Sequence, residues 1–165
     1  MRRVLTDHPG IKETFILSSE GGIYARPTAV QTVLGSCVAV TFFCPKDKIG
    51  GIFHALLPRR EQYSLGNDTF DHYKYVDSAI EYVCNGLLKR GVKQQDIECK
   101  VFGGANAIFQ NEISVGPKNI KAAFDVLAAY PLRVLASQVG GVRGRKLMFL
   151  THTGDVFIKI INKSS

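Results

Sequence analysis

The chain has 165 residues, 45% of them hydrophobic, with 21 Lys and Arg against 14 Asp and Glu for a net charge of +7. This length and apolar content suit one globular domain over residues 1–165, its first ten or so residues a flexible tail, and call for no second core. After Met1-Arg2-Arg3-Val4 the chain turns polar at Thr6-Asp7-His8-Pro9-Gly10, without the apolar run of a secretory signal or a membrane span, so no membrane insertion and a cytoplasmic location are expected.

The first predicted strand runs from Glu13 to Leu17. Two more, Cys37 to Phe43 and Gly51 to Leu57, flank Cys44-Pro45-Lys46-Asp47, a turn signal with proline at its second position, and so read as an antiparallel hairpin. Pro58 to Asp71, with Ser64-Leu65-Gly66-Asn67-Asp68 inside it, is a polar loop that follows the second of these strands. Between Tyr73 and Arg90, Val76, Ile80, Val83 and Leu87 recur at helical spacing and Gly91 supplies a stop, which predicts an amphipathic helix. A strand follows from Ile97 to Phe102. A second helix starts near Pro117, runs through Ile120, Phe124 and Leu127, and stops before Pro131. The last strands are Arg133 to Gln138, Lys146 to Thr151 and Val156 to Ile161, the final two joined across His152-Thr153-Gly154-Asp155 as a hairpin. The expected fold class is α/β, a single-domain layered sandwich of mainly antiparallel or mixed β-structure with two main helices.

The hairpin carries the chemistry. Its first strand follows Leu34-Gly35-Ser36-Cys37 and its second holds His54. A loop centred between Pro45 and Lys46 sets Cys37 opposite His54; a wider loop, its centre shifted toward Asp47, pairs His54 with Ala39 and leaves Cys37 its diagonal neighbour on the same face. Either register brings together a thiol and an imidazole, and a thiol with a reference pKa of about 8.5 becomes a useful nucleophile at neutral pH when a base stands beside it. Gly35 and Ser36 are small enough to let backbone N–H groups approach a developing oxyanion. Composition alone also fits a buried structural cysteine and a satisfied core histidine.

The other reactive side chains have plainer readings. Cys37, Cys44, Cys84 and Cys99 form no C-x-x-C pair, which favours free thiols, and Cys37, Cys44, His54 and His72 match no familiar zinc spacing, so no metal or cofactor is expected. His8, His72 and His152 read as surface residues, Tyr73, Tyr75 and Tyr82 as packing. Gly103-Gly104 and Gly140-Gly141 read as tight turns, because neither pair leads into a phosphate-loop Lys-Ser or Lys-Thr. Basic clusters at Arg59-Arg60, Lys89-Arg90 with Lys93, and Arg143, Arg145 and Lys146 include no nucleic-acid module; an acidic protein partner suits them better, with Arg143 and Arg145 as candidate docking residues.

The strings TVLGSCVAV, FHALLP, KYVDSAIEYV, KVFGGANAIF, SVGPKNI and VGGVRGRKLMFLTHTGDVFIKI, in that order over about Thr32 to Ile160, resemble the chemoreceptor glutamine deamidase family, CheD. The resemblance implies a protein-glutamine deamidase with Cys37 as nucleophile, His54 as base and Thr32 as third active-site residue, some members carrying that threonine where this chain has Gln31. It implies chemoreceptor signalling helices, rich in Glu and Gln, as substrate and a CheC-type phosphatase as a further partner. A binding module that regulates such a phosphatase, with little or no hydrolase activity, is the alternative, and a module of that kind needs neither Cys37 nor His54. Many members have an aspartate where this chain has Gln138.

Overall fold

A computed structural model describes residues 1–64, 70–106 and 115–162. In chain order these form helix α1 (Arg2–Thr6), strands β1 (Lys12–Phe15), β2 (Glu20–Tyr24), β3 (Thr28–Leu34), β4 (Val38–Cys44) and β5 (Ile49–Ala55), helices α2 (Arg60–Tyr63) and α3 (Val76–Lys89), β6 (Glu98–Gly103), α4 (Val115–Ala129), β7 (Arg133–Val139), β8 (Arg145–Leu150) and β9 (Val156–Ile160). Among the described residues, no helix is long and apolar enough to cross a membrane.

Two mixed sheets result, in the orders β1-β3-β8-β9 and β2-β5-β4-β6-β7, with β1·β3 and β6·β7 parallel and the other pairs antiparallel. The five-stranded sheet is the middle layer. Along β4, Val38, Val40 and Phe42 join Ile80, Val83, Leu87, Ala123 and Leu127 of α3 and α4 in one core, whereas Ala39 faces Val30, Leu34, Leu147 and Phe149 of the four-stranded sheet in a second. Burial on both faces explains why VAVTFFC is apolar almost without interruption. The layered α/β fold class and the β4–β5 hairpin thus follow the expectation. The loop extends to Lys48 in a left-handed conformation (φ 51°), so Cys44 pairs with Ile49 and Ala39 with His54, the wider of the two registers.

Two strands lie outside the expected set. β3 is buried at most positions because it sits between β1 and β8, and its polar Gln31 and Thr32 hide the apolar alternation. β2 holds Gly21 and Gly22, poor strand formers; a Cβ at Gly21 would meet Ile52 O at 2.7 Å and the Tyr73 ring at 2.8 Å, so edge pairing with β5 requires glycine there. The first residues, read as a tail, form α1, whose Val4 and Leu5 pack on Ala29, Met148 and Leu150. The polar loop after β5 contains α2, and Leu65 to Thr69 of that stretch lie outside the described residues. His8, His72 and His152 are half-buried rather than fully at the surface: His8 meets His152 edge-on at 5.3 Å, and His72 stacks on Tyr82 at 4.1 Å.

Gly103 and Gly104 end β6 with φ of 103° and 71°. A Cβ on Gly103 would lie 2.3 Å from Cys37 O, while Gly91 (φ 87°) has open space around it. Gly103→Ala is therefore expected to cost on the order of 2–4 kcal/mol in chemical denaturation, against roughly 1 kcal/mol for Gly91→Ala, which bears the left-handed strain alone.

Candidate active site

The segment between β3 and β4 is held by its carbonyls. Gly104 N–H donates to Cys37 O at 2.8 Å and Ala105 N–H to Gly35 O at 2.9 Å, while Asn119 Nδ2 of α4 donates to Ser36 O at 3.0 Å. A trans peptide directs its N–H opposite to its C=O. With the carbonyls of Gly35 and Ser36 turned toward the β6 turn and α4, the N–H groups of Ser36 and Cys37 point the other way. Gly35 is exposed and Ser36 and Cys37 are half-buried.

His54, on β5, is 5% exposed. Its pairing with Ala39 puts Cys37 diagonal to it across the hairpin, and Cys37 packs with Ala39 against the core between the sheets. Thr32 reaches across from β3: its Oγ1 lies 2.7 Å from His54 Nδ1 and 2.7 Å from Ile16 O. A carbonyl oxygen only accepts, so the single hydroxyl proton goes to Ile16, and Thr32 Oγ1 accepts from His54 Nδ1–H. That network assigns the tautomer and leaves Nε2 with the lone pair. Burial lowers the His54 pKa to about 4, with Glu20, its partner on β2, pulling the other way, so the ring is neutral at pH 7.

Burial raises the Cys37 thiol above its ordinary value, opposed by a hydrogen bond from the Ser18 side chain and by the residue's own backbone N–H. The pair is therefore a neutral thiol and a neutral imidazole at pH 7. Thr32→Val, nearly the same shape without the hydroxyl, leaves Ile16 O and Nδ1–H unpaired in a buried site; it should lower stability by about 1–3 kcal/mol in urea and reduce turnover at least about tenfold, whereas Thr32→Ser should retain most of both.

Ile16 to Glu20 form a strap that the sequence reading missed. Ile16 O accepts from Thr32, the Ser18 side chain bonds to Cys37, Ser19 N–H donates to His54 O at 2.7 Å, and Glu20 pairs with His54. Its turn has Ser19 at φ 66° and is closed by Leu17 N–H donating to Glu20 Oε1 at 2.7 Å. The only sequence signal is the polar Ser-Ser-Glu just before the glycines of β2.

The two candidate docking arginines part company. Arg143 is exposed, in the turn before β8, and the adjoining Gly144 lies against Leu34 O, next to the Gly35–Cys37 segment. Arg145 is 3% exposed and donates to Gln138 O at 2.6 Å and to Gly140 O, with Gln138 Oε1 at 3.4 Å. Its guanidinium holds the β7–β8 turn together from inside and is not available for docking. Gln138 thus meets Arg145 through its backbone carbonyl and its side-chain oxygen.

A thiol diagonal to an imidazole of assigned tautomer, beside outward-facing backbone N–H groups, is a constellation suited to acyl transfer through sulfur. Residues 56–160 match the family described as CheD chemotactic sensory transduction. The chain is 41% identical to a probable chemoreceptor glutamine deamidase CheD of Oleidesulfovibrio alaskensis, over 94% of this chain and 76% of that protein. It is 36% identical to a protein of the same name from Maridesulfovibrio salexigens, over 93% and 94%, and 38% identical to probable chemoreceptor glutamine deamidase CheD 2 of Geobacter sulfurreducens, over 95% of each. The chain belongs to the CheD family.

Proposed function

We propose that the chain is a cytoplasmic protein-glutamine deamidase that converts glutamine side chains of chemoreceptor signalling helices to glutamate in chemotactic adaptation. The hydrogen bond from His54 Nδ1–H to Thr32 carries this reading, because it leaves the lone pair on Nε2 of a histidine whose strand register sets Cys37 diagonal to it. Nε2 takes the Cys37 proton as sulfur attacks the carboxamide carbon, and the N–H groups of Ser36 and Cys37 receive the oxyanion. The imidazolium, made a strong acid by burial, passes its proton to the departing nitrogen and ammonia leaves a thioester. Water deprotonated by Nε2 hydrolyses the thioester to glutamate and returns the thiol. Every proton in the cycle passes through His54, and no step calls for a metal or an organic cofactor.

A protein substrate fits the surroundings. Leu17 of the strap and Leu56, two residues past His54, are 62% and 37% exposed, and Arg143 adds an exposed cation in a chain of net charge +7. An acidic, glutamine-bearing helix matches both features. A CheC-type phosphatase is the second partner that family membership brings into this reading. The test is mass spectrometry of receptor cytoplasmic fragments after incubation with the protein. The mass difference between carboxamide and carboxylate should appear at helix glutamines; fragments that stay unchanged under conditions where the protein is folded and its thiol reactive would refute the proposal.

A further inference from the structure

Asn119 is fully buried on α4. Its Nδ2 donates both to Ser36 O at 3.0 Å and to Leu56 O at 3.1 Å, so the two protons of one amide are spent on two different elements of the site. Ser36 precedes the thiol; Leu56 lies two residues beyond the imidazole. A flipped amide would set Oδ1 against both carbonyl oxygens, which assigns the orientation. Asn119 Oδ1 is buried without a partner among the described residues. An unpaired buried acceptor costs stability that an apolar side chain of similar shape would not, so core packing does not account for an asparagine here.

The hairpin cannot do this work itself. Its ladder ends at Val38 with Ala55, one residue short of Cys37, and beyond it Leu56 N–H and Leu57 N–H both turn to Lys74 O. Cys37 therefore lies past the last rung that links its strand to the histidine's. The Asn119 amide supplies the missing link from the helix layer.

We propose that Asn119 is a positioning residue: its carboxamide bridges the Ser36 carbonyl to the end of the His54 strand, and so sets the spacing of thiol and imidazole and the aim of the Ser36 and Cys37 N–H groups. This rests on the Cys37–His54 reading above.

The test compares Asn119→Asp and Asn119→Ala with the wild-type protein and with His54→Gln, following iodoacetamide alkylation of Cys37 against pH and the kinetics of ammonia release. Aspartate keeps the shape but has no N–H to give and turns a carboxylate on two carbonyl oxygens. The alkylation rate at pH 7 and kcat should both fall by roughly tenfold or more with KM changed less than about twofold, and adding His54→Gln to either Asn119 variant should bring no further loss. The alkylation rates of the variants should coincide with those of His54→Gln at each pH, because the thiol then has no positioned base beside it. A purely structural asparagine would lower the unfolding midpoint and leave the alkylation profile unchanged in the folded fraction, which would overturn the proposal. Should neither variant fold, the Asn119 side-chain amide of the wild-type protein decides by NMR: both protons protected from exchange support the bridge, exchange at the solvent rate refutes it. Alkylation needs no glutamine. Alkylation that depends on Asn119 and His54 without deamidation would leave this proposal standing and remove the deamidase reading; deamidation with an unchanged profile would do the reverse.

Discussion

Cys37→Ala should abolish ammonia release, by roughly a thousandfold or more, while leaving the unfolding midpoint nearly unchanged, because a nucleophile is irreplaceable in covalent catalysis and this one is only half-buried. Limiting iodoacetamide should label Cys37 first. The other three thiols are buried within the core under α3 and α4, at 0–1% exposure, and burial pushes Cys44 up to about 12 and Cys84 and Cys99 upward as well. Activity that survives Cys37→Ala, or first labelling at Cys44, Cys84 or Cys99, would assign the nucleophile elsewhere.

The second large effect is on stability against pH. His54 titrates at about 4 in the folded chain against a reference value of 6.5, and it is 5% exposed. Between those two values the unfolded chain binds a proton that the native chain does not, so this group's stabilising contribution is complete above pH 6.5 and is lost as pH falls toward 4. The loss should reach about 3 kcal/mol from pH 7 to pH 4 in urea denaturation, and His54→Gln should remove that part of the slope. The acid limb of kcat/KM should fall in the same low range. A limb near pH 6.5, with a stability slope unchanged by His54→Gln, would mean a solvated imidazole and a different resting state.

The parts of this site legible in the sequence are those carried by local pattern. The Cys44-Pro45-Lys46-Asp47 turn signalled the hairpin, and the strict period of a strand kept Cys37 and His54 on one face in both registers considered; choosing between them needed the left-handed Lys48, which no neighbouring residue announces. Thr32 was reached through family likeness, since nothing in TAVQTVL tells which strand faces the histidine. The strap and Asn119 were illegible for a different reason. Ser18 and Glu20 meet the site only because β2 pairs as an edge strand through glycines that speak against a strand in the sequence, and Asn119 reaches Ser36 across 83 positions of chain. Arg145 was misread because a surface cluster and a buried guanidinium look alike in a run of charges; its burial follows from the turn carbonyls it satisfies.

The central claim is that Cys37 becomes acylated by the glutamine side chain, with His54 moving the protons. Acid quenching of a receptor fragment during turnover, followed by mass spectrometry of the Cys37 peptide, tests it directly. The account predicts an adduct on Cys37 with the mass of the fragment less one ammonia, absent in Cys37→Ala. Deamidation that proceeds with no such adduct, or an adduct on another residue, would contradict it.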